Sequence, residues 1–164
     1  VQLFDEGKTD VSLSFPVNSA TSAFQLTAAK NSVNEFIIDA IGSDAGALPR
    51  NVNIEQAMRL VKFGALEPLE MVLKLSLNPA KMMGLGSKGR LSEGKDADLT
   101  VIDPDAGKAT YGIVGGNLIM MAGRVVGSGG AILTTERGEK AVLATGIDYQ
   151  LLDITQAMIY AGRG

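Results

Sequence analysis

The chain has 164 residues, of which 46% are hydrophobic and 20% charged, with a formal net charge of -3 at pH 7 and a pI near 5.0. This is the composition of a soluble globular protein, and an acidic balance without a cluster of Lys and Arg argues against a nucleic-acid or membrane partner. The absence of cysteine and histidine excludes disulfides, thiol nucleophiles, histidine-based triads and histidine or thiolate zinc sites built from this chain alone.

The first residues of the chain bear on its processing and location. The sequence begins with Val1 rather than an initiator Met, and it lacks the basic and then apolar order of a secretory leader. We therefore expect that residues once preceded Val1. Because the chain has neither a leader nor cysteine, nothing opposes a cytoplasmic location, which is the location we predict.

The first predicted elements are a strand, a helix and a second strand. Residues 11–15 alternate apolar and polar side chains, as a short strand does, and residues 18–19 can cap a helix that runs to about Lys30. Residues 36–41 form a nearly continuous apolar run with β-branched side chains, which is typical of a strand buried on both faces. A tight turn over residues 42–46 follows.

Three further helices are predicted in the middle of the chain. Asn53, with a glutamine three residues later, resembles a capping box, and apolar residues recur at helical spacing until Gly64 offers a stop. Pro68 stands where the first residue of the next helix would be. A short third helix is predicted to start at residues 78–79, an Asn-Pro pair, and to end at Gly84.

The second half of the chain has a different texture. From about Gly86 glycines become frequent and apolar stretches shorten to strand length, which predicts a β-rich module with a boundary near Leu85. The tail is predicted to contain amphipathic helices over residues 135–144 and 153–160. The predicted strands are Leu99–Ile102, Gly112–Val114, Leu118–Met121 and Arg124–Val126.

The strongest motif lies at the junction of the two modules. It reads Asn-Pro-Ala-Lys-Met-Met-Gly-Leu over residues 78–85 and Lys-Gly-Arg-Leu-Ser-Glu-Gly-Lys-Asp-Ala-Asp-Leu-Thr-Val-Ile-Asp over residues 88–103. This resembles the C-terminal signature of the metal-dependent amidohydrolase superfamily, which includes dihydroorotases, hydantoinases, deaminases and isoaspartyl dipeptidases. Residues 115–120 and 123–126 resemble the strand pair that closes the small domain of that superfamily.

The resemblance implies an α/β fold in two domains. Residues 1–85 would be the C-terminal end of a TIM-type (β/α)8 barrel, comprising its last two strand-helix units. Residues 86–134 would be strands of a small β-sandwich-like domain, and residues 135–164 a mainly helical C-terminal tail. The resemblance also implies that the parent protein hydrolyses carbon–nitrogen bonds other than ordinary peptide bonds, in cyclic amide, amide or amidine substrates. A divalent metal, with zinc expected, would activate the water.

The residue to which the resemblance assigns chemistry is Asp44. In the superfamily the eighth barrel strand ends in an aspartate that binds the metal and carries a proton from the attacking water to the leaving nitrogen, and residues 36–44 resemble that strand end. The alternative is that Asp44 only turns the chain after a strand. Ser43, Arg50 and Asn51 in the same loop are candidate substrate contacts, although a solvated position is the commoner outcome for Arg50.

Asp96 and Asp98 form an acidic pair, and its spacing suggests paired catalytic carboxylates. Both stand at the entry to a strand, where short acidic side chains commonly accept hydrogen bonds from turn amides. We therefore expect a structural role for the pair.

The resemblance covers residues 11–130 and omits the histidines that bind the metal in the superfamily. We therefore expect a C-terminal fragment that is inactive and metal-free alone, with a split subunit and an independently folding domain as alternatives. Exposed strand edges predict a homo-oligomer or association with the missing N-terminal part. The rival function is a non-catalytic structural or assembly domain. A phosphate loop at residues 127–130 is a weaker third reading, because it lacks a Gly-Lys-Ser/Thr ending.

Overall fold

A computed structural model of the chain describes residues 19–43 and 52–161. The strand predicted over residues 11–15 lies outside these ranges. The helical elements are α1 (Ala20–Ala28), α2 (Asn53–Lys62), α3 (Pro68–Val72), a π-helical turn (Leu73–Leu77), α4 (Asn78–Met82), α5 (Glu136–Leu143), a 3-10 turn (Ile154–Gln156) and α6 (Met158–Ala161). The strands are β1 (Leu99–Asp103), β2 (Lys108–Val114), β3 (Asn117–Met121), β4 (Arg124–Val125), β5 (Ile132–Thr134) and β6 (Tyr149–Leu151). The fold is α/β, as predicted.

Helix α1 begins where the sequence predicts. Ser19 is its N-cap, and the Ser22 amide donates to the Ser19 Oγ at 3.0 Å, which satisfies one of the free amides of the first turn. The helix ends at Ala28, slightly before the predicted end at Lys30. Lys30 forms an isolated antiparallel bridge with Phe36, so the chain reverses direction between them.

The prediction of a strand over residues 36–41 was wrong. After the bridge at Phe36 the segment is irregular, and Ile37 and Ile38 are 50% and 37% exposed. A strand is defined by hydrogen bonds to a neighbouring strand, and within the described ranges the bridge with Lys30 is the one such pairing this segment has. The apolar pattern indicates a segment suited to burial but does not supply the neighbour.

Helix α2 ends as predicted but starts differently. Val52 is the N-cap and makes no side-chain capping bond, and Asn53 is already helical, so the predicted capping box was wrong. The Gln56 amide donates to the Val52 carbonyl at 2.9 Å, which is an ordinary helical bond. At the other end Gly64 adopts a φ of 70°, and its amide donates to the Val61 carbonyl at 2.9 Å, which stops the helix.

Helix α3, the π-helical turn and α4 follow one another without a break and are called the 68–82 helix. Pro68 is its first residue, as predicted, and Glu70 Oε2 accepts a hydrogen bond from the Glu67 amide at 2.8 Å. A short α-helix begins at Asn78, as predicted, but it continues directly from the π-helical turn, so the predicted break before it was wrong. The Asn78 amide donates to the Leu73 carbonyl, five residues back. This wider turn fits Pro79 inside a continuous helix without a break.

The 68–82 helix ends at Gly84, as predicted. Gly84 has a φ of 71°, and the Leu85 amide donates to the Ala80 carbonyl at 2.8 Å. Gly89 then passes very close to the helix. A Cβ added to Gly89 would lie 2.8 Å from the Ala80 Cβ and 3.0 Å from the Leu77 Cα, and its φ is 90°. Glycine at 89 and alanine at 80 therefore let the chain leave the helix and turn towards the sheet.

The predicted strands of the second module are confirmed, and β2 begins four residues earlier than expected, at Lys108. Strands β1 to β4 form one antiparallel sheet in chain order. One face of this sheet meets the helices, because Ile102 of β1 packs against a core of Ala57, Met58 and Met71. The helical and β-rich parts of the described chain thus share a hydrophobic core.

The tail differs from the prediction. The helix predicted over residues 135–144 is confirmed as α5, but it lies between β5 and β6, which pair in parallel and were not predicted. The helix predicted over residues 153–160 is instead a 3-10 turn followed by four helical residues. Three-residue strands in parallel depend on each other over a long sequence separation, so no local pattern indicates them. None of the helices described is both long and apolar enough to cross a lipid bilayer.

Candidate functional site

The residues predicted to form the site are only partly described by the structure. Ser43 is half-buried at the end of the irregular segment that follows Phe36. Asp44, Arg50 and Asn51 lie outside the described residues. The described part of the candidate site is the chain that leads to Ser43, and the 68–82 helix holds this chain in place.

Three main-chain groups of residues 38–41 are bound by the 68–82 helix. The Lys74 Nζ donates to the Ile38 carbonyl, and the Asn78 Nδ2 donates to the Asp39 carbonyl at 2.7 Å. The Ile41 amide donates to the Lys74 carbonyl at 3.1 Å. Because these polar groups are partly shielded from water, each bond spares the cost of an unpaired carbonyl or amide.

The Lys74 carbonyl is free to accept this bond because of the helix geometry around it. In a π-helical turn a carbonyl accepts from the amide five residues later, and for Lys74 that residue is Pro79, which has no N–H. The neighbouring bond, from the Asn78 amide to the Leu73 carbonyl, follows that spacing. The Asn-Pro pair thus provides both the Asn78 side chain and the vacant carbonyl that hold residues 38–41.

Lys74 is itself an unusual residue. It is 1% exposed, and its Nζ lies 3.9 Å from the centre of the Phe36 ring, which provides a favourable face for a cation. Burial lowers the pKa of the Lys74 ammonium below its usual range, and the negative charges of Asp39 and Glu70 partly offset that shift. Removal from water therefore dominates the electrostatics of this group.

A second, more exposed layer surrounds the buried lysine. The Lys30 Nζ forms an ion pair with Glu70 Oε1 at 2.7 Å and lies 4.6 Å from the centre of the Phe36 ring, on which Lys74 also rests. The hydrogen bonds from the Glu67 amide and from Lys30 hold the pKa of the Glu70 carboxyl below its usual range. Glu70 is thus kept ionised between the two lysines.

Asp96 and Asp98 have the structural role predicted for them. Their carboxylates accept from the Lys88 Nζ at 2.9 and 2.5 Å, and Asp98 Oδ1 also accepts from the Gly115 amide at 2.8 Å. Lys88 lowers the pKa of both carboxyls, with the Ser87 hydroxyl adding to the effect on Asp96, and the two carboxylates raise the pKa of Lys88. The pair ties the hairpin turn after β2 to the loop before β1, and both aspartates are held ionised.

An open cleft of about 520 Å³ lies between the four-stranded sheet and the tail. Its lining includes the Ser128-Gly129-Gly130 loop, Asp98, Asp148 and Gln150, and Lys88 is the basic side chain among the described lining residues. That ammonium is already bound by two carboxylates. A phosphate would therefore meet acidic neighbours and no free cation, which disfavours the phosphate-loop interpretation.

Comparison with known proteins identifies the family. The sequence profile of the Amidohydrolase family matches residues 3–126, which is more than half of the chain. The chain belongs to the amidohydrolase family. The matched range includes Ser43, Asp44 and the signature of residues 78–103, so the resemblance on which the sequence interpretation was based is confirmed.

Individual amidohydrolase relatives match parts of the chain. A dihydroorotase of Pelotomaculum thermopropionicum is 54% identical over 46 residues, which are 28% of this chain and 10% of that protein. An imidazolonepropionase of Thermoplasma volcanium is 43% identical over 67 residues, 40% of this chain and 17% of that protein. A match to the crystal structure of a β-aspartyl dipeptidase from Fervidobacterium islandicum AW-1 covers 60% of this chain and 24% of the dipeptidase chain, with 22% identity and a TM-score of 0.39. The chain spans less than a fifth of the length of the first two relatives.

Amidohydrolases generally depend on a metal ion, so we asked whether the described residues fit one. Residues 19–43 and 52–161 contain no group of three or more His, Cys, Asp or Glu side chains that could hold a metal. The whole sequence has no His or Cys. Since protein zinc sites use three or four such ligands, the described part of this amidohydrolase does not fit a metal centre.

Lys74 is the residue that sequence reasoning missed. It lies within an apolar run, three residues after the buried Met71 and four before Asn78, so its position on the helix is that of a core residue. A lysine on an apolar stripe is the signal that could have drawn attention to it. In this amidohydrolase the stripe faces the segment that leads to Ser43.

Proposed function

We propose that this chain is part of a metal-dependent hydrolase that cleaves carbon–nitrogen bonds other than ordinary peptide bonds, in cyclic amide, amide or amidine substrates. The observation that carries the proposal is the family match over residues 3–126. The relatives named dihydroorotase and imidazolonepropionase support a small-molecule substrate. In this proposal residues 1–85 are the end of a (β/α)8 barrel, and the four-stranded sheet belongs to a small β-sandwich-like domain.

Asp44 is the acid–base group in this proposal. It lies three residues after Ile41, the last residue of a stretch whose main-chain groups are bound by the 68–82 helix, and a rigid support is what a proton-transferring carboxylate requires. Ser43, Arg50 and Asn51 are proposed substrate contacts in the same loop. Asp44 would accept a proton from the attacking water and give it to the leaving nitrogen, as the family resemblance implies.

The metal, which we propose to be zinc, would be bound mainly by residues that this chain does not contain, with Asp44 contributing a carboxylate. The described residues do not offer a sufficient set of ligands. We therefore propose that the 164-residue chain alone binds no metal and is inactive, and that it acts in the cytoplasm in association with the rest of the enzyme.

The proposal is tested by the metal content and activity of matched samples. Elemental analysis of the purified 164-residue chain, with its intact mass measured on the same sample, should find no stoichiometric zinc, manganese or iron. In the complete enzyme, Asp44→Asn should lower kcat by a factor of about 10³ or more, and Asp96→Asn, a matched change in a structural aspartate, should lower it less than about threefold. Near-stoichiometric metal in the chain alone, or an unaffected Asp44→Asn enzyme, would contradict the proposal.

A second candidate function is a non-catalytic assembly domain. The outer face of the sheet favours it, because Leu99, Val101, Tyr111 and Leu118 lie on one face and are 36%, 42%, 43% and 45% exposed. Strand β1 is also an edge of the sheet, with its outer main-chain groups available for pairing. In that case the chain would form homo-oligomers through this face and edge without any Asp44 chemistry. Sedimentation of the chain across a concentration series would show such self-association.

A further inference from the structure

The ammonium of Lys74 is the feature for which the proposed function gives no role. It is the one charged side chain among the described residues that is fully buried. Taking an ammonium out of water is costly, and an apolar side chain of the same length would fill the same space without that cost. Stability alone therefore does not explain a lysine at this position.

The groups around Lys74 show what the charge does. From the segment after α1 it faces the Phe36 ring, the Ile38 carbonyl and the charge of Asp39, and from its own helix it faces Glu70 one turn earlier. The Lys30 ammonium is close enough to oppose it weakly. Among these groups the Ile38 carbonyl accepts a hydrogen bond from the Lys74 ammonium, so the positive charge is directed at a main-chain oxygen.

Lys74 and Asn78 hold the same short stretch of chain from one side. Lys74 binds residue 38 through its side chain and residue 41 through its carbonyl, and Asn78 binds the intervening Asp39 carbonyl. Residues four apart on a helix lie on one face, so the two side chains approach the stretch together. These bonds replace, on the helix side, the ladder that a neighbouring strand would provide.

We propose that Lys74 and Asn78 are positioning residues that fix residues 38–41, so that the chain reaches Ser43 in a single orientation. This inference rests on the proposed function, in which the residue after Ser43 transfers the proton. A cation suits the task because a charged donor holds a carbonyl about twice as strongly as a neutral one. An apolar residue at 74 would fill the volume and leave the Ile38 carbonyl unbound.

The test is amide hydrogen exchange in the 164-residue chain, read at the Ile41 amide and at the amides of β2 and β3. Lys74→Met keeps most of the length of the side chain, one heavy atom short of lysine, and removes the donor. It should speed exchange at Ile41 by about tenfold or more and leave the sheet amides within about twofold of wild type. Lys81→Met, which removes an exposed lysine from the same helix, is the matched control and should change neither.

Two other outcomes would overturn the inference. If Ile41 exchanges as in wild type, the side chain does not hold the segment. If Ile41 and the sheet amides accelerate together, Lys74 only stabilises the fold as a whole. Should Lys74→Met fail to fold, Asn78→Ala decides the matter, because it removes one neutral donor and should still speed exchange at Ile41 several-fold with the sheet unchanged.

A second readout separates this inference from the proposed function. In the complete enzyme Lys74→Met should lower kcat by about tenfold with KM within about twofold, as expected when a reacting group is misplaced and substrate binding is not. A change in KM alone would contradict the positioning role. Asp44→Asn should abolish activity and leave Ile41 exchange unchanged. If Asp44→Asn retains activity, the proposed function is wrong. The hydrogen-exchange result for Lys74→Met still decides, independently, whether Lys74 holds residues 38–41.

Discussion

The helical region and the β-rich region each hold one lysine at a central position, and the two lysines are bound in opposite ways. Lys74 is 1% exposed and donates to a main-chain carbonyl, and burial lowers its pKa. Lys88 has 29% of its side chain exposed and lies between the carboxylates of Asp96 and Asp98, which raise its pKa. Lys74 thus binds a main-chain oxygen, and Lys88 is the counter-ion of two carboxylates.

The two lysines differ in whether loss of hydration or neighbouring carboxylates has the larger effect on the pKa. Where water is excluded and the partner is a neutral carbonyl, the loss of hydration outweighs the nearby carboxylates. Where about a third of each side chain remains in water, hydration is largely kept and the two carboxylates dominate. Truncation of Lys74 should therefore cost more stability than truncation of Lys88, because it leaves a cavity and an unpaired main-chain carbonyl.

The largest expected effect is on the free energy of unfolding when either lysine is truncated. Lys74→Ala should cost about 3 kcal/mol, because it leaves a cavity and an unpaired Ile38 carbonyl. Lys88→Ala should cost about 1 kcal/mol or less, because its partners can turn to water. Urea unfolding of both variants beside wild type measures the difference, and equal losses would remove the distinction between the two sites.

A smaller effect is expected from pH. The folded-state pKa of Lys74 lies below its ordinary 10.5, so the unfolded chain holds this proton more tightly and the contribution of Lys74 to stability grows as pH rises towards 10.5. The pKa of Lys88 is raised, so its contribution is present below 10.5 and is lost as pH rises through the folded value. Between about pH 9 and 11, Lys88→Met should lose stability less steeply than wild type, and Lys74→Met more steeply.

Denaturant unfolding at several alkaline pH values, with Lys81→Met as the control, would measure these slopes. If both variants changed the slope in the same direction, the opposite pKa shifts assigned to the two lysines would be wrong. The carboxylates of Asp96 and Asp98 make a corresponding contribution to the pH dependence of stability at acidic pH. The pKa values of Asp96 and Asp98 lie below 3.8, so their contribution is present above that pH and is lost as pH falls through the folded values.

The smallest expected effect on stability comes from the outer face of the sheet. Val101→Lys places a charge among exposed apolar side chains and should change the free energy of unfolding by about 0.5 kcal/mol or less. If the β-rich region self-associates through this face, the same change should raise the dimer dissociation constant about tenfold or more. Ser92→Lys adds the same charge elsewhere and should not. Sedimentation at several concentrations measures both, and a monomer at every concentration would rule out this interface.

Much of the fold could be predicted because its signals are local. The cap at Ser19, the helix start at Pro68 and the glycine stops at 64 and 84 each act within a few residues, and the structure confirms them. The strands of the antiparallel sheet follow one another with tight turns, so they too were predicted. The segment after Phe36 and the parallel pair of β5 and β6 depend on partners distant in sequence, and there the predictions failed.

In the candidate site too, features with local signals were predicted, and features that depend on residues distant in sequence were not. The structural role of Asp96 and Asp98 followed from their place at a strand entry, and hydrogen bonds from Gly115 and Lys88 bear it out. Residues 78–79 were predicted to start a separate helix, but the π-helical turn makes the helix continuous, and the Asn78 side-chain amide donates to the Asp39 carbonyl. The role of Lys74 depends on which residues lie opposite it. Single-sequence patterns do not contain that information.

The close approach of the tail to Gly84 makes the residue allowed at position 84 depend on the course of the tail. A Cβ at position 84 would lie 2.9 Å from the Ala157 nitrogen and 3.1 Å from the Asp153 carbonyl oxygen. The family match ends at residue 126, yet Gly84 inside it, already favoured as glycine by its φ of 71°, is limited to glycine also by the course of a segment beyond the match. In a homologue with a side chain at position 84, the C-terminal segment must follow a different course. We therefore expect replacement of this glycine and a change in the tail to occur in the same homologues.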